Sequence, residues 1–158
     1  MFRNLSLAAL LVAGLPAAAV AGPPWISIEL PANPWDQTTR GAFLLVHAFH
    51  HGLPIQVPVT GVAEGIVNGQ RKSVTLTFDP ASRPGVYTLR NQWGNSGRWV
   101  LVITVSQHQD DVAQAIVEIS EAGEVTAVRV PVRADRDGFP RRVTQAEVEA
   151  ALRTGKSS

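Results

Sequence analysis

Short apolar runs separated by turn residues constrain this chain more than any other feature of its sequence. After the Asn68-Gly69 pair, Val74, Leu76 and Phe78 alternate with polar residues, which is the period of a strand with one buried face. Asn-Gly is also a strong signal for a two-residue hairpin loop. Similar runs recur between residues 25 and 105 at a spacing of roughly 8–12 residues. The pattern predicts an antiparallel sandwich or barrel.

Six segments of this region are predicted to form strands. Residues 42–50 are mostly apolar, and periodicity alone leaves a helix open there, but the neighbouring strands and the abrupt Gly52-Leu53-Pro54 end favour a strand. Pro58 interrupts the next run, so that run is expected at a sheet edge or a bulge, because proline cannot donate to a ladder. The predicted strands are 25–30, 42–50, 55–62, 73–79, 86–93 and 99–105.

The sequence changes character after Ser106. Two runs, 112–119 and 124–132, flank a turn-like segment and predict a C-terminal hairpin added at the edge of the sandwich. Further on, Thr144-Gln145-Ala146-Glu147 matches a capping box, in which the Thr144 hydroxyl accepts from the amide of Glu147 and the Glu147 carboxylate accepts from the amide of Thr144. This motif predicts a short terminal helix.

The first 21 residues have the character of a secretory signal. Arg3 gives a positive start, an apolar region follows, and Ala19-Val20-Ala21 supplies the small-x-small pattern that signal peptidase accepts. The apolar run is shorter than the ~20 residues that a spanning helix requires, although an uncleaved anchor is the alternative. The predicted organisation is a signal peptide over 1–21, a β-sandwich over 22–134, and a loop with a short helix over 135–158. A periplasmic or extracellular location follows, without membrane insertion after cleavage.

The composition excludes several classes of partner and site. Without residues 1–21 the chain carries equal numbers of basic and acidic side chains, so its net charge is zero. That balance argues against nucleic acid, which requires a basic face, and against electrostatic docking on acidic membranes. The sequence contains no cysteine, which excludes a disulfide framework, a cysteine nucleophile and a thiolate metal site. Stability must therefore come from the apolar core.

Residues 44–105 resemble bacterial periplasmic immunoglobulin-like β-sandwich modules of the YtkA-like and carboxypeptidase-regulatory-like type. The matching segments are Leu44-Leu45-Val46, Gly52-Leu53-Pro54-Ile55, Pro84-Gly85-Val86-Tyr87 and Gly97-Arg98-Trp99-Val100-Leu101. The resemblance implies an immunoglobulin-like antiparallel sandwich and says little about activity, because such sandwiches host many functions. Copper-handling modules of this kind carry methionine- and histidine-rich sites, whereas the only methionine here is Met1.

Clustered histidines form the first candidate site. Neutral imidazoles are ligands for Zn, Cu or Ni, and His47, His50 and His51 lie close together in the sequence. On a strand, His47 and His51 point the same way but lie about 13 Å apart, at about 3.3 Å per residue. The preferred interpretation is therefore that these are polar side chains at a strand end, hydrogen-bonded to turn backbone. The alternative is a copper or zinc site formed by His50, His51 and His108, the last supplied by a loop.

Four tryptophans form the second candidate feature. Exposed aromatic side chains anchor protein interfaces and stack on sugars. Trp99 lies in an apolar run and is expected in the core, whereas Trp25 is the first residue of the first predicted strand and is assigned no position. Trp35, between Pro34 and Asp36, is the tryptophan most expected at the surface, and Trp93 precedes a tight turn. Trp35 and Trp93 are therefore the predicted partner-binding residues.

The sequence carries no signature of catalysis. It lacks a Gly-x-Ser-x-Gly elbow, a His-Glu-x-x-His pair and a phosphate-binding glycine loop. A Ser-His-Asp set assembled from distant positions stays open, because such triads are spatial. The predicted function is an exported non-catalytic binding or structural module that acts through a protein or polymer partner and needs no cofactor. The alternative is a periplasmic copper- or zinc-binding protein, and a hydrolase with a dispersed site is the third class.

Overall fold

Ten strands, one 3-10 helix and one α-helix make up the computed structural model, which describes residues 22–135 and 138–154. The predicted signal segment, 1–21, lies outside the described residues. The strands are β1 (Trp25–Glu29), β2 (Leu44–His50), β3 (Leu53–Pro54), β4 (Val59–Val67), β5 (Gln70–Leu76), β6 (Asp79–Pro80), β7 (Val86–Leu89), β8 (Arg98–Ser106), β9 (Val112–Ile119) and β10 (Val125–Arg129). The 3-10 helix spans Gln37–Thr39, and α1 spans Gln145–Thr154.

The strands form two antiparallel sheets. The first sheet has the order β1-β2-β7-β6, with β3 paired to the end of β2, and the second has the order β10-β9-β8-β4-β5. Every strand pair is antiparallel. The prediction of a mainly β, antiparallel protein with a short C-terminal helix is therefore confirmed. Its immunoglobulin-like character stays a prediction.

A shared apolar core lies between the two sheets. The first sheet contributes alternate residues such as Leu44 and Val46 of β2, and the second contributes Leu101 and Ile103 of β8. These side chains are fully buried, as the period-2 alternation of each strand requires when one face meets another sheet. Because the sequence has no cysteine to form disulfides, burial of these apolar side chains stabilises the fold.

The outer face of the second sheet is covered by α1. Val148, Ala151 and Leu152 on one stripe of the helix pack against Val100 of β8 and Ile116 of β9. Seven of the eight residues of β9 are consequently buried, because one face meets the shared core and the other meets the helix. The predicted C-terminal hairpin is present as the β9–β10 pair, but β9 is an interior strand between β8 and β10, so the edge assignment applies to β10 alone.

The predicted capping box marks the start of α1. The amide of Glu147 donates to the Thr144 hydroxyl at 3.3 Å, and the amide of Thr144 donates to the Glu147 carboxylate at 2.9 Å. Arg141 donates two further hydrogen bonds to the same carboxylate, each at 2.9 Å. These donors and the Arg141 charge lower the pKa of Glu147 to about 2.

Several predicted strand boundaries differ from the observed ones, and two of the differences have a clear local cause. The predicted strand 55–62 starts at Val59, because Pro58 has no amide proton and the backbone of Val57 is taken by the Tyr87 hydroxyl, which accepts from its amide at 2.9 Å and donates to its carbonyl at 2.7 Å. The predicted strand 86–93 ends at Leu89, because the Asn91 side chain accepts from the following amides and begins a loop.

Candidate functional site

Three segments meet at one end of the first sheet. Because β1 runs antiparallel to β2, Trp25 lies opposite Phe49, and the residues before β1 reach the end of β2. The chain returns to the same place after β10, where an isolated bridge joins Val132 to Pro140 and the Arg133 amide donates to the Phe139 carbonyl at 2.8 Å. The return places the Phe139 ring beside Gly22. Residues far apart in the sequence thus lie together at the end of the first sheet where β2 ends.

A small pocket, which we call the aromatic pocket, lies between these segments. Its volume is about 210 Å³. Trp25 is 41 % exposed, so part of its ring faces solvent at the rim. The lining is carbon-rich apart from the two imidazoles, which gives the pocket both an apolar surface and nitrogen donors. Its walls are formed by Pro23, Trp25, His50, His51, Phe139 and Pro140, together with Gly22 and Gly138.

The geometry of His50 is fixed from two sides. Its Nε2 lies 2.8 Å from the carbonyl oxygen of Gly22, and its ring meets that of His51 edge-on with 4.2 Å between the centroids. A carbonyl oxygen can only accept, so Nε2 of His50 carries the proton in this arrangement. Nδ1 is then the nitrogen with the free lone pair when the ring is neutral.

His51 occupies an unusual backbone conformation because of the β2–β3 loop. Pairing of His50 with Leu53 leaves His51 and Gly52 as a two-residue hairpin loop. Both residues have positive φ, 50° for His51 and 77° for Gly52, as a type I′ turn requires. The turn therefore holds the His51 side chain at the mouth of the aromatic pocket.

The other two histidines are not among the residues that line the aromatic pocket. His47 Nε2 lies 2.8 Å from the Glu29 carboxylate, and its ring stacks on Phe49 at 6.1 Å, so its polar contact is within the first sheet. His108 lies in the β8–β9 loop, where its carbonyl accepts from the Ser106 hydroxyl at 2.9 Å. Across residues 22–135 and 138–154, no three His, Cys, Asp or Glu side chains are grouped to hold a metal ion. A copper or zinc site formed by His50, His51 and His108 stays a prediction.

The tryptophans divide into two buried and two exposed. Trp93 is only 7 % exposed, because its ring packs edge-on against Phe43 with 5.0 Å between centroids. It is a core residue, and the predicted partner-binding surface at Trp93 is closed in this structure. Trp99 is also buried, as expected, and donates from Nε1 to the Ser96 carbonyl at 2.9 Å. Trp25, for which the sequence analysis predicted no position, is at the pocket rim.

Trp35 is the most exposed large apolar side chain described, at 86 %. Its backbone is nevertheless held in place, since its amide donates to the Asn33 side chain at 3.0 Å. Asp36 follows and caps the 3-10 helix by accepting from the Thr38 amide at 2.9 Å and the Thr38 hydroxyl at 2.6 Å. These hydrogen bonds lower the pKa of Asp36. A fixed backbone with an exposed ring matches the predicted role of Trp35 as an anchor.

A larger, open groove between α1 and the second sheet is lined by charged side chains that already have partners. It measures about 500 Å³. Arg129 forms an ion pair with Glu118, and Glu147 is held by Arg141. Each of these carboxylates is therefore already paired with an arginine. The Arg141–Glu147 pair joins the segment before α1 to the helix.

The sequence pointed to part of this site. It singled out His50 and His51 but not Trp25 as a surface residue, although Ile26 and Ile28 on one face of β1 put Trp25 on the other. Phe139 carried no local signal, because only the long return after β10 brings it to the pocket.

The described residues contain no helix that is long and apolar enough to cross a membrane. Comparison of the chain with models of protein families, with curated proteins and with solved structures finds no match.

Proposed function

We propose that this protein is an exported, non-catalytic binding or structural module that acts through a protein or polymer partner, and that the aromatic pocket is its main contact. The observation that carries the proposal is a partly exposed tryptophan at the rim of a preformed cavity. Tryptophan is enriched among the residues that dominate the binding energy of protein interfaces. Such residues contribute most where the surrounding contacts exclude water. Trp25 has that setting.

The size of the pocket favours a large partner over a free small molecule. Sites that enclose a drug-sized ligand measure roughly 300–1,000 Å³. The aromatic pocket, at about 210 Å³, falls below that range. It has room for one side chain or one sugar ring of a partner whose remaining surface lies outside. Contact beyond the pocket is available at Leu53, which is exposed beside His50 in the β2–β3 hairpin.

The strand order supports an immunoglobulin-like sandwich. In such domains one sheet has the order A-B-E-D and the other contains G-F-C, to which variable types add C′. The order β1-β2-β7-β6 corresponds to A-B-E-D, and β9-β8-β4-β5 corresponds to G-F-C-C′, with β10 as an addition. The His51-Gly52 turn then belongs to the B–C connection. This is one of the loops that such domains use for recognition.

Export is supported by the N-terminal sequence. Arg3, the apolar region and Ala19-Val20-Ala21 form the pattern of a cleaved secretory signal. Every strand and helix described begins after Gly22, so cleavage after Ala21 leaves both sheets, their core and α1 intact. The proposed location is the periplasm or the cell exterior.

Site-specific crosslinking in the producing cell tests a protein partner. A photo-crosslinking amino acid at position 53 of the full chain should give a discrete product that disappears when Trp25→Ala is added. The same crosslinker at Val128, an exposed position on β10 outside the pocket, is the matched control. Products that form equally from both positions, or that persist in Trp25→Ala, would contradict the proposal.

Co-sedimentation with insoluble envelope polymers tests a polymer partner. Loss of an aromatic anchor costs about 2 kcal/mol or more of binding energy, so Trp25→Ala should weaken binding at least tenfold. Val128→Ala, which removes apolar surface elsewhere, should bind as the wild type does. A thermal midpoint that matches the wild type within a few degrees shows that Trp25→Ala remains folded, since the side chain is partly exposed.

A further inference from the structure

The residue that would begin the mature chain lies in the aromatic pocket. Gly22 follows directly after the Ala19-Val20-Ala21 pattern, and its carbonyl oxygen lies 2.8 Å from Nε2 of His50. The His51 ring is in edge contact with that of His50. Removal of the signal would therefore create a free amino group beside two imidazoles.

We infer that the amino terminus created at Gly22, together with His50 and His51, binds one divalent transition-metal ion, with Cu(II) preferred over Zn(II). The inference rests on the export and cleavage that the proposed function includes. Cleavage consumes one water, breaks the Ala21–Gly22 amide, and leaves a carboxylate on Ala21 and an amine on Gly22. The amine must lose a proton to coordinate, and α-amino groups have a pKa of about 7.7–8.0, so part of it is available near neutral pH.

The spacing of the polar atoms suits a metal ion. Nitrogen and oxygen ligands lie about 2.0–2.2 Å from a bound Zn(II), so two ligands at right angles around one ion lie about 2.9 Å apart. The observed 2.8 Å between His50 Nε2 and the Gly22 oxygen fits that arrangement, with the ion off the line that joins the two atoms. For Nε2 to coordinate, the neutral ring moves its proton to Nδ1 and gives up the hydrogen bond to Gly22. An amino-terminal residue can also bind through its own amine and carbonyl oxygen together, which closes a five-membered chelate ring.

The neighbouring residues hold the amino terminus in place. Pro23 and Pro24 follow Gly22, and each proline ring fixes its own φ near −65°. They lead directly into β1, which is paired along its length with β2. The terminus is thus tied to the strand that ends in His50, and little chain entropy remains to be lost when an ion binds.

The choice of metal follows from the ligands. Imidazole and amine nitrogens suit Cu(II), Zn(II) and Ni(II), and affinity for such sites peaks at Cu(II) in the Irving–Williams order. The site differs from the three-histidine set that the sequence suggested, because the amine takes the place of His108. Such a site needs only two imidazoles, because its third nitrogen is the amino terminus of the backbone.

The test compares chains that differ only at the amino terminus or at one histidine. The chain beginning at Gly22, released from a fusion by a protease that leaves no extra residue, is titrated with Cu(II) by calorimetry against a glycine competitor. We expect one ion per chain. Retention of the signal segment, His50→Ala and His51→Ala should each weaken binding at least tenfold, whereas His108→Ala and His47→Ala, the matched controls, should change it less than twofold.

Two results would overturn the inference. One is the absence of Cu(II) binding by the Gly22 chain, and the other is binding that survives both His50→Ala and the retained signal segment. The mass of the protein recovered from the producing cells separates this inference from the proposed export. A mass that begins at Gly22 without Cu(II) binding removes the metal site and leaves export standing. An uncut chain in the cells, with Cu(II) binding by the Gly22 chain, removes the cleavage and leaves the chemistry of the site standing.

Discussion

Two hairpins among the described residues have two-residue loops with nearly the same φ angles and different sequences. The β2–β3 loop is His51-Gly52, with φ of 50° and 77°, and the β4–β5 loop is Asn68-Gly69, with φ of 51° and 76°. Asn-Gly is the pair that a type I′ turn favours, because asparagine and glycine accept positive φ. Histidine accepts it less readily.

Their surroundings explain the difference. Next to the β4–β5 loop, Arg71 donates to Glu64 at 3.0 Å and to Glu149 of α1 at 2.7 Å, so this hairpin is fastened to the helix and its loop has only a structural task. The β2–β3 loop instead places His51 in the wall of the aromatic pocket. Where a residue departs from the best local choice, a functional demand is the expected cause. The comparison therefore favours the β2–β3 loop as the place of the proposed function.

Gly85→Ala should have the largest effect, because it attacks the support of the β2–β3 hairpin. Gly85 has φ of 70°, and an added Cβ would lie 2.8 Å from the Ala48 oxygen and 3.0 Å from the backbone of Ile55. Backbone strain of about 1–2 kcal/mol and the overpacking together predict a loss of about 3 kcal/mol in the free energy of unfolding. Urea unfolding measures it. A loss below about 1 kcal/mol would show that the hairpin is not held by this contact.

Gly65→Ala makes the matching change beside the other hairpin. Gly65 lies in β4 opposite Trp99, and an added Cβ would meet the Trp99 ring at 2.4 Å. Displacing a buried ring costs about 2 kcal/mol. The comparison predicts that this variant loses stability but keeps the aromatic pocket, so ligand or Cu(II) binding measured well below its melting temperature should be unchanged. Binding lost along with stability would mean that the hairpins are not independent.

Features that depend on residues close together in the sequence could be predicted, and features that depend on distant residues could not. The Asn68-Gly69 turn and the capping box at Thr144 depend on residues a few positions apart, and both are confirmed. The His51-Gly52 turn was not predicted as a hairpin loop, because histidine is not the usual residue there. Phe139 could not be placed at all, since it reaches the pocket only through the segment after β10, which is far in sequence from β1 and β2. Local rules therefore found the structural hairpin, and only tertiary packing revealed the pocket.

Acid should lower the free energy of unfolding through α1, the helix to which the β4–β5 hairpin is bonded. The pKa of Glu147 in the first turn of α1 is lowered from 4.5 to about 2, chiefly by Arg141, so its contribution to stability is present above about 4.5 and is lost as the pH falls toward 2. The carboxylate is one-third exposed, so solvent screening leaves about 1 kcal/mol. Unfolding of Glu147→Gln beside the wild type should show this difference at pH 7 and none at pH 2. A difference that does not change with pH would contradict the assignment.

Exchanging the two loop residues gives the smallest change in stability and the sharpest test of the comparison. His51→Asn puts the favoured residue into the β2–β3 turn and should raise the free energy of unfolding by about 0.5 kcal/mol, while Asn68→His should lower it by about the same amount. His51→Asn should also weaken Cu(II) binding at least tenfold, whereas Asn68→His should not affect it. A His51→Asn variant that is more stable but binds Cu(II) less tightly is the outcome expected when position 51 carries histidine for binding and not for turn geometry. If His51→Asn instead destabilises the fold, then His51 is held there by packing, and its departure from the turn rule needs no functional cause.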